Sequence, residues 1–248
     1  MDTTKVITAT ELKTNLGKYL DFVSENNEVV ITKNGNKFAR ITPYISEFER
    51  YLTVKEKSLD YLYGGKKVSY EEFMQIYERS ELRMEFINGE IVLLDSPSPY
   101  HQDISGNLHI QLRFYLKGKP CKVFYAPFDV HFRKQGFDTP DVMQPDLIIV
   151  CDLDTTVNNK GRYMGTPLVC IEILSPSTSS KDMVVKLNTY MLSGVKEFWV
   201  VDPDKQTVLV YHFINFGVDG YQLFRSGDIL VSYELEGLEI PLEDIYAK

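Results

Sequence analysis

Four short apolar runs, DLIIVCD (146–152), PLVCIEIL (167–174), EFWVVD (197–202) and VLVYHF (208–213), set the narrowest limit on what this chain can fold into. Each is rich in β-branched or aromatic residues and too short for a buried helix, so each reads as a strand. A helical pattern over 181–193 separates the second run from the third. Strands and a helix in that order predict an α/β (α+β) domain, a mixed sheet flanked by helices. Upstream, SYEEFMQIYERSE carries Phe73, Ile76 and Tyr77 at helical spacing, and Asn88-Gly89 predicts a hairpin within RMEFINGEIVLL. PSPYHQ reads as a Pro-rich loop, DISGNLHIQLRFYL as a helix and VFYAPFDVHF as one alternating strand.

The first forty-odd residues have a different plan. Val6–Thr8 can form a strand, and Thr8-Ala9-Thr10-Glu11 fits a capping box at a helix start. Leu12, Leu16, Tyr19, Leu20 and Val23 follow as one apolar stripe. EVVIT and FARIT flank Asn34-Gly35, a second hairpin signal. The result is a small strand–helix–hairpin module. Residues 44–66 have helical propensity and end at Gly64-Gly65. The expected organisation is a module over 1–46, a helical linker over 47–66 and a large domain over 67–248.

Charge agrees with two separately made pieces. Residues 1–60 hold nine basic and nine acidic residues, so the whole net charge of −8 belongs to the remainder. That balance argues against coating nucleic acid by bulk electrostatics, but not against a site in which carboxylates hold a metal. Apolar runs stay well below the ~18 residues of a membrane span, and MDTTKVITATELK lacks a signal-peptide pattern, which predicts the cytoplasm and no membrane partner. Cys121, Cys151 and Cys170 are an odd number without a close pair, which predicts free thiols, no zinc site and a reducing compartment. Phosphate-loop and nucleophile-elbow motifs are absent from the sequence.

Glu172 stands in the middle of LVCIEIL, where an ionised carboxylate is costly unless it is paired or metal-bound. It is therefore either a salt-bridged strand acid or part of a site. Asp146 heads the neighbouring run after Gln144-Pro145, so two strand-borne carboxylates can share a hard cation; the plainer alternative is a Pro-Asp turn cap. Asp182, Lys186 and Tyr190 follow at i, i+4 and i+8, on one helix face. Taken without further context, Lys186 is a solvated helix lysine. His109, His131 and His212 read as surface or strand residues.

Two resemblances sharpen these readings. ITATELKTNLGKYLDFV with EVVITKNGNKFARITP resembles the Phd/YefM antitoxin module in its helix start, its stripe and its hairpin. The resemblance implies a homodimer that binds operator DNA, with Lys13 and Asn15 as candidate contacts; the usual toxin-wrapping tail is replaced here by the large domain. RMEFINGEIV, PSPYHQ, QPDLIIV, IEILSPST, D-x-x-x-K-x-x-x-Y and GVKEFWVVDP together resemble the Uma-two family of endonucleases, within the PD-(D/E)XK superfamily. The resemblance implies a restriction-endonuclease-like fold and a site of Glu85, Asp146, Glu172, Lys186 and His101. Leu174 stands where many superfamily members place the lysine, and Lys186 takes that part from the next helix. Mg²⁺, with Mn²⁺ as substitute, is implied on Asp146, Glu172, a backbone carbonyl near Ile173, and Glu85. The implied activity is phosphodiester hydrolysis, in DNA with RNA as the other candidate substrate. Two other readings stand beside it: a non-catalytic DNA-binding regulator on a degenerate nuclease fold, or one component of a toxin–antitoxin fusion.

Overall fold

The computed structural model describes residues 4–24, 27–42, 65–158, 162–175 and 180–247. The expected linker helix over 44–66 lies outside the described residues apart from Gly65 and Lys66, as does the SPST half of EILSPST apart from Ser175. The chain divides into two compact units, Met1–Tyr61 and Leu62–Lys248, a division that falls inside the predicted linker.

In the first unit, β1 (Thr4–Thr8) leads into α1 (Ala9–Thr14) and α2 (Leu16–Ser24), followed by the hairpin β2 (Glu28–Lys33) and β3 (Asn36–Ile41). The sheet order is β1-β2-β3, with β1 and β2 parallel. Asn34 and Gly35 both take positive φ, as their turn requires. Two expectations need correction. The stripe is carried by two helices, because Asn15 leaves helical geometry (φ −127°, ψ 35°) and its side-chain amide donates back to the Glu11 carbonyl. The capping box is half formed. Thr8 Oγ1 accepts from the Glu11 amide at 3.1 Å, but the Glu11 carboxylate accepts from Tyr19 instead of returning to Thr8. Tyr19 and Val23 pack on Ile7, Val29 and Ile31, while Leu16 and Leu20 stay exposed.

The second unit runs α3 (Tyr70–Arg79), β4 (Met84–Ile87), β5 (Glu90–Leu93), α4 (Pro99–Tyr115), β6 (Lys122–Tyr125), β7 (Val130–Phe132), β8 (Asp141–Met143), β9 (Leu147–Val150), α5 (Leu153–Thr156), β10 (Val169–Ile173), α6 (Ser180–Leu192), β11 (Glu197–Asp202), β12 (Thr207–Ile214), β13 (Gly217–Phe224), β14 (Ile229–Val231), β15 (Glu239–Pro241) and α7 (Leu242–Tyr246). The large sheet has the order β13-β12-β11-β10-β9-β6, and a smaller one has β5-β4-β8-β7. β10 and β11 are parallel, joined by the crossover helix α6, while β9 and β12 flank them antiparallel. This is the mixed sheet flanked by helices that the sequence predicts.

Both faces of the central strands are covered, which is why their sequences read as continuous apolar runs. Val169 and Ile171 pack with Leu147, Ile149 and Trp199 under Ile104, Leu108 and Leu112 of α4. Cys170 packs on the opposite side with Ile148, Val150 and Phe198, against Tyr190 of α6 and Phe132 of β7. Alternation therefore sends Glu172 to the α6 side.

Two further expectations fail locally. PSPYHQ is not a loop throughout: Pro99 opens α4, where its missing N–H costs nothing, and Ser98 Oγ caps the His101 amide at 3.2 Å. VFYAPFDVHF is two strands, β6 in the large sheet and β7 in the small one, because Pro127 cannot extend the ladder.

The reading of the cysteines is also overturned. Cys121 and Cys151 form a disulfide. They are 30 residues apart in sequence, but they flank the β6–β9 ladder just beyond the partners Lys122 and Val150. Cys170 is a buried free thiol. The pairing removes the ground for assigning a reducing compartment. No helix among the described residues is long and apolar enough to cross a membrane. Denatured, unreduced protein is expected to show one thiol per chain in a colorimetric titration; three would dismiss the disulfide.

Candidate active site

The candidate carboxylates sit on different elements that the two sheets bring to one cleft of about 740 Å³, lined by Glu85, His101, Asp146, Glu172, Asp182 and Lys186 among others. Glu172 is 5% exposed. Its Oε2 lies 2.8 Å from Lys186 Nζ, and its Oε1 accepts a short hydrogen bond from Tyr190. Spacing of i and i+4 on α6 lets both partners reach down onto the same strand residue.

Asp146 precedes β9 and meets β10 from the side. Its Oδ2 accepts the Ile173 amide at 2.8 Å, one residue along from Glu172, and lies 3.2 Å from His101 Nε2. His101 comes from the first turn of α4, so the misread Pro-rich segment is what aims it. Glu85, on β4 and 1% exposed, accepts the Gln144 amide through Oε1 at 2.8 Å. Gln144-Pro145-Asp146 thus spans the two sheets, with one end on Glu85 and the other on the backbone beside Glu172.

Electrostatics follow from this crowding. Burial pushes the Glu172 carboxyl up to about 7; Lys186 opposes the shift, and the charges of Asp146 and Glu85 reinforce it. Burial disfavours the Lys186 cation, but Glu172, Glu85 and Asp146 outweigh it and hold its pKa above the ordinary lysine value. Burial likewise opposes protonation of His101, and its hydrogen bond to Asp146 overcomes that and raises it. Among the described residues, no three His, Cys, Asp or Glu side chains stand grouped to hold a metal ion.

Sequence reasoning missed the neighbours that position these groups. Gln144 Oε1 accepts from Arg83 Nε at 3.2 Å, and its amide donates to Asp129 at 2.9 Å. Asp141 and Lys134 form a buried pair at 2.7 Å, each side chain 3% exposed. Asp141 also accepts the Asn88 amide at 2.8 Å and the Thr189 hydroxyl at 2.9 Å. The signal for Asp141 was present: Pro140-Asp141 repeats Pro145-Asp146 five residues earlier. Lys13 and Asn15 belong to the first unit and are exposed there; the Asn15 amide is engaged at the helix break.

A family model described as "Putative restriction endonuclease", Uma2, matches residues 70–243. The chain belongs to the Uma2 family. A second model, "Antitoxin Phd_YefM, type II toxin-antitoxin system", matches residues 4–84. Two uncharacterized proteins of Synechocystis sp. are similar to this Uma2 member. One is 25% identical over 147 residues, covering 59% of this chain and 74% of the relative. The other is 21% identical over 132 residues, covering 53% and 72%. A crystal structure of a putative nuclease belonging to DUF820 from Anabaena variabilis matches with a TM-score of 0.60 at 21% identity, over 72% of this chain and 97% of that one. That likeness shows a shared, nuclease-like fold.

A stability prediction follows from Glu172. Its carboxyl titrates near 7 when folded against 4.5 as its ordinary value, so the folded state holds the proton longer. The stability it contributes is full below about pH 4.5 and fades as pH rises through about 7. Urea unfolding of metal-free protein across that window is expected to lose stability with rising pH, and Glu172→Gln to flatten the slope. An unchanged slope would place the titration elsewhere.

Proposed function

We propose that the Leu62–Lys248 unit hydrolyses phosphodiester bonds in DNA with the help of Mg²⁺ or Mn²⁺. One observation carries this reading. Lys186 is ion-paired to Glu172 beside Asp146, with Glu85 in the same cleft, so a cation-bearing side chain and three carboxylates face one space large enough for a nucleotide.

The donor chemistry suits a hard divalent cation. Carboxylate oxygens are its preferred ligands, and Mg²⁺ needs only one or two of them because it keeps its waters, so a closed cage of three side chains is not required. Burial first, and the neighbouring Asp146 and Glu85 charges after it, disfavour the Glu172 carboxylate, and a bound cation would relieve that. Asp146 and Glu172 would hold the ion, with Glu85 alongside. Once bound, it supplies neutralisation of the charge that builds on the phosphate.

The chain's own residues do the rest. Lys186 orients the attacking water and donates to the oxygens that gain charge as phosphorus becomes five-coordinate. Tyr190 holds the other oxygen of the Glu172 carboxylate, so Lys186 can turn toward substrate without leaving that group unpaired. His101, kept protonatable by Asp146, contacts phosphate or returns a proton to the leaving oxygen. The Met1–Tyr61 unit binds and dimerises on DNA, with Lys13 and Asn15 as contacts. Its exposed Val6, Leu16, Leu20 and Phe38 leave apolar surface for a second copy to cover.

Purified full-length protein is expected to nick supercoiled plasmid with Mg²⁺ or Mn²⁺ and not with EDTA. Asp146→Ala and Lys186→Ala should each lower the rate at least about 100-fold, since groups that act as a unit fail together. Equal nicking by all three proteins would indicate a contaminant. Binding without cleavage by any of them would favour the regulatory reading.

A further inference from the structure

We infer that nucleic acid leaves the cleft along one face of α4, on a track made by Tyr125, His109, Arg113 and Lys117. The inference extends the nuclease reading to the path of the strand, and it starts from a charge anomaly. The chain carries 35 acidic residues in 248, about one in seven, yet residues 104–128 contain none. The same stretch holds Arg113, Lys117, Lys119 and Lys122 in a protein of net charge −8.

Helix geometry makes this a strip and not a scatter. Ser105, His109 and Arg113 are spaced i, i+4, i+8 on α4, and Lys117 continues the series just past its end. Ser105 lines the active cleft, so the strip begins at the site itself. Tyr125, at the end of the edge strand β6, also lines the cleft and meets His109 edge-to-face at 4.8 Å. Tyr125 is 57% exposed, which leaves its ring open as a stacking platform. From Ser105 to Tyr115, the end of α4, the helix rises about 15 Å, the axial span of about four phosphates along one strand of a duplex.

Two of the basic residues have local explanations and are left out. Lys119 Nζ sits 3.2 Å from the centroid of the Tyr115 ring, and Lys122 lies on the edge strand β6, where lysine guards against sheet extension. Arg113 and Lys117 are exposed, and among the described residues no such contact accounts for them. Beyond His101, which meets Asp146 in the cleft, α4 also meets Asp244, at Gln111 on a different face of the helix. A polyanion moving along the strip therefore passes no helix carboxylate between Ser105 and Lys117.

The test is binding of a fluorescent 20-nucleotide single-stranded DNA to full-length protein in EDTA, over a range of salt. Arg113→Ala and Lys117→Ala should each reduce the slope of log K against log salt by about 0.7, the value for one phosphate contact on a single strand. Tyr125→Ala should weaken binding about tenfold with the slope unchanged, and Tyr125→Phe should restore it, since stacking needs the ring and not the hydroxyl. Lys205→Ala, at an exposed lysine paired with Asp202, should change neither quantity. Slopes in the Arg113 and Lys117 variants equal to that of the Lys205 variant would overturn the track, as would failure of the wild-type protein to bind. Wild-type protein that binds with the expected slopes but does not cut would sink the nuclease reading while leaving the track in place.

Discussion

The second unit is organised around one buried charge. Placing the Glu172 carboxylate inside a sheet covered on both faces is prohibitive unless it is neutralised or paired, and the fold pairs it from a single helix. Lys186 and Tyr190 reach Glu172 only if α6 crosses β10 at one height, which fixes the β10–α6–β11 crossover in position as well as in order. A slip of β10 by one residue would turn Glu172 toward Ile104 and Leu108, an apolar layer with nothing to receive it. The charge that looks like a cost to stability therefore specifies register.

A second buried pair holds the same helix one residue before Tyr190. Thr189 lies between Lys186 and Tyr190 on α6, and its hydroxyl reaches Asp141 of β8, which is bound in turn to Lys134 and to the Asn88 amide. Asn88 is the first of the two positive-φ residues of the β4–β5 turn, three residues beyond Glu85. Asp141 thus connects the helix that carries Lys186 to the hairpin that carries Glu85. The residue after Lys134 closes the arrangement, since the Gln135 amide donates to the Leu192 carbonyl at the end of α6 at 2.8 Å. Buried ionic contacts of this kind are weak evidence for stability, but they allow few alternative packings, which is what a site assembled from two sheets requires.

What could be read from the sequence follows from how local each signal is. The four core strands, α6 and both Asn-Gly hairpins rest on periodicity and turn chemistry within a few residues, and they stand where expected. Grouping of Glu85, Asp146, Glu172 and Lys186 was accessible because a carboxylate in an apolar run demands a partner, and the family resemblance supplied which ones. What escaped notice depends on contacts far apart in the chain. The Cys121–Cys151 pair is invisible without the β6–β9 pairing, and the burial of Asp141 becomes evident only once Lys134 and Thr189 are brought to it. The strands β13 to β15 were missed because their exposed positions, such as Val218, Tyr221 and Ile229, blur the alternation that marks a strand. Asn15 broke a stripe that looked continuous because its own side chain competes for helix carbonyls.

The two family matches overlap across residues 70–84, and the overlap falls on α3 and the first residue of β4. In the antitoxin module that this chain resembles, the segment after the hairpin is a tail that closes on a toxin. Here the corresponding stretch closes on its own domain: Phe73 is fully buried and stacks on Phe86 at 4.9 Å, while Tyr77 donates to Asp129 at 2.7 Å. Asp129 also receives the amide of Gln144, whose backbone N–H holds Glu85. Helix α3 is thereby three hydrogen bonds from a candidate catalytic carboxylate. A segment committed in this way has its apolar face already covered, so it is not free to wrap a separate protein without uncovering the support of the cleft. The overlap of the two matches therefore lies inside the folded second unit, on an element that supports the cleft.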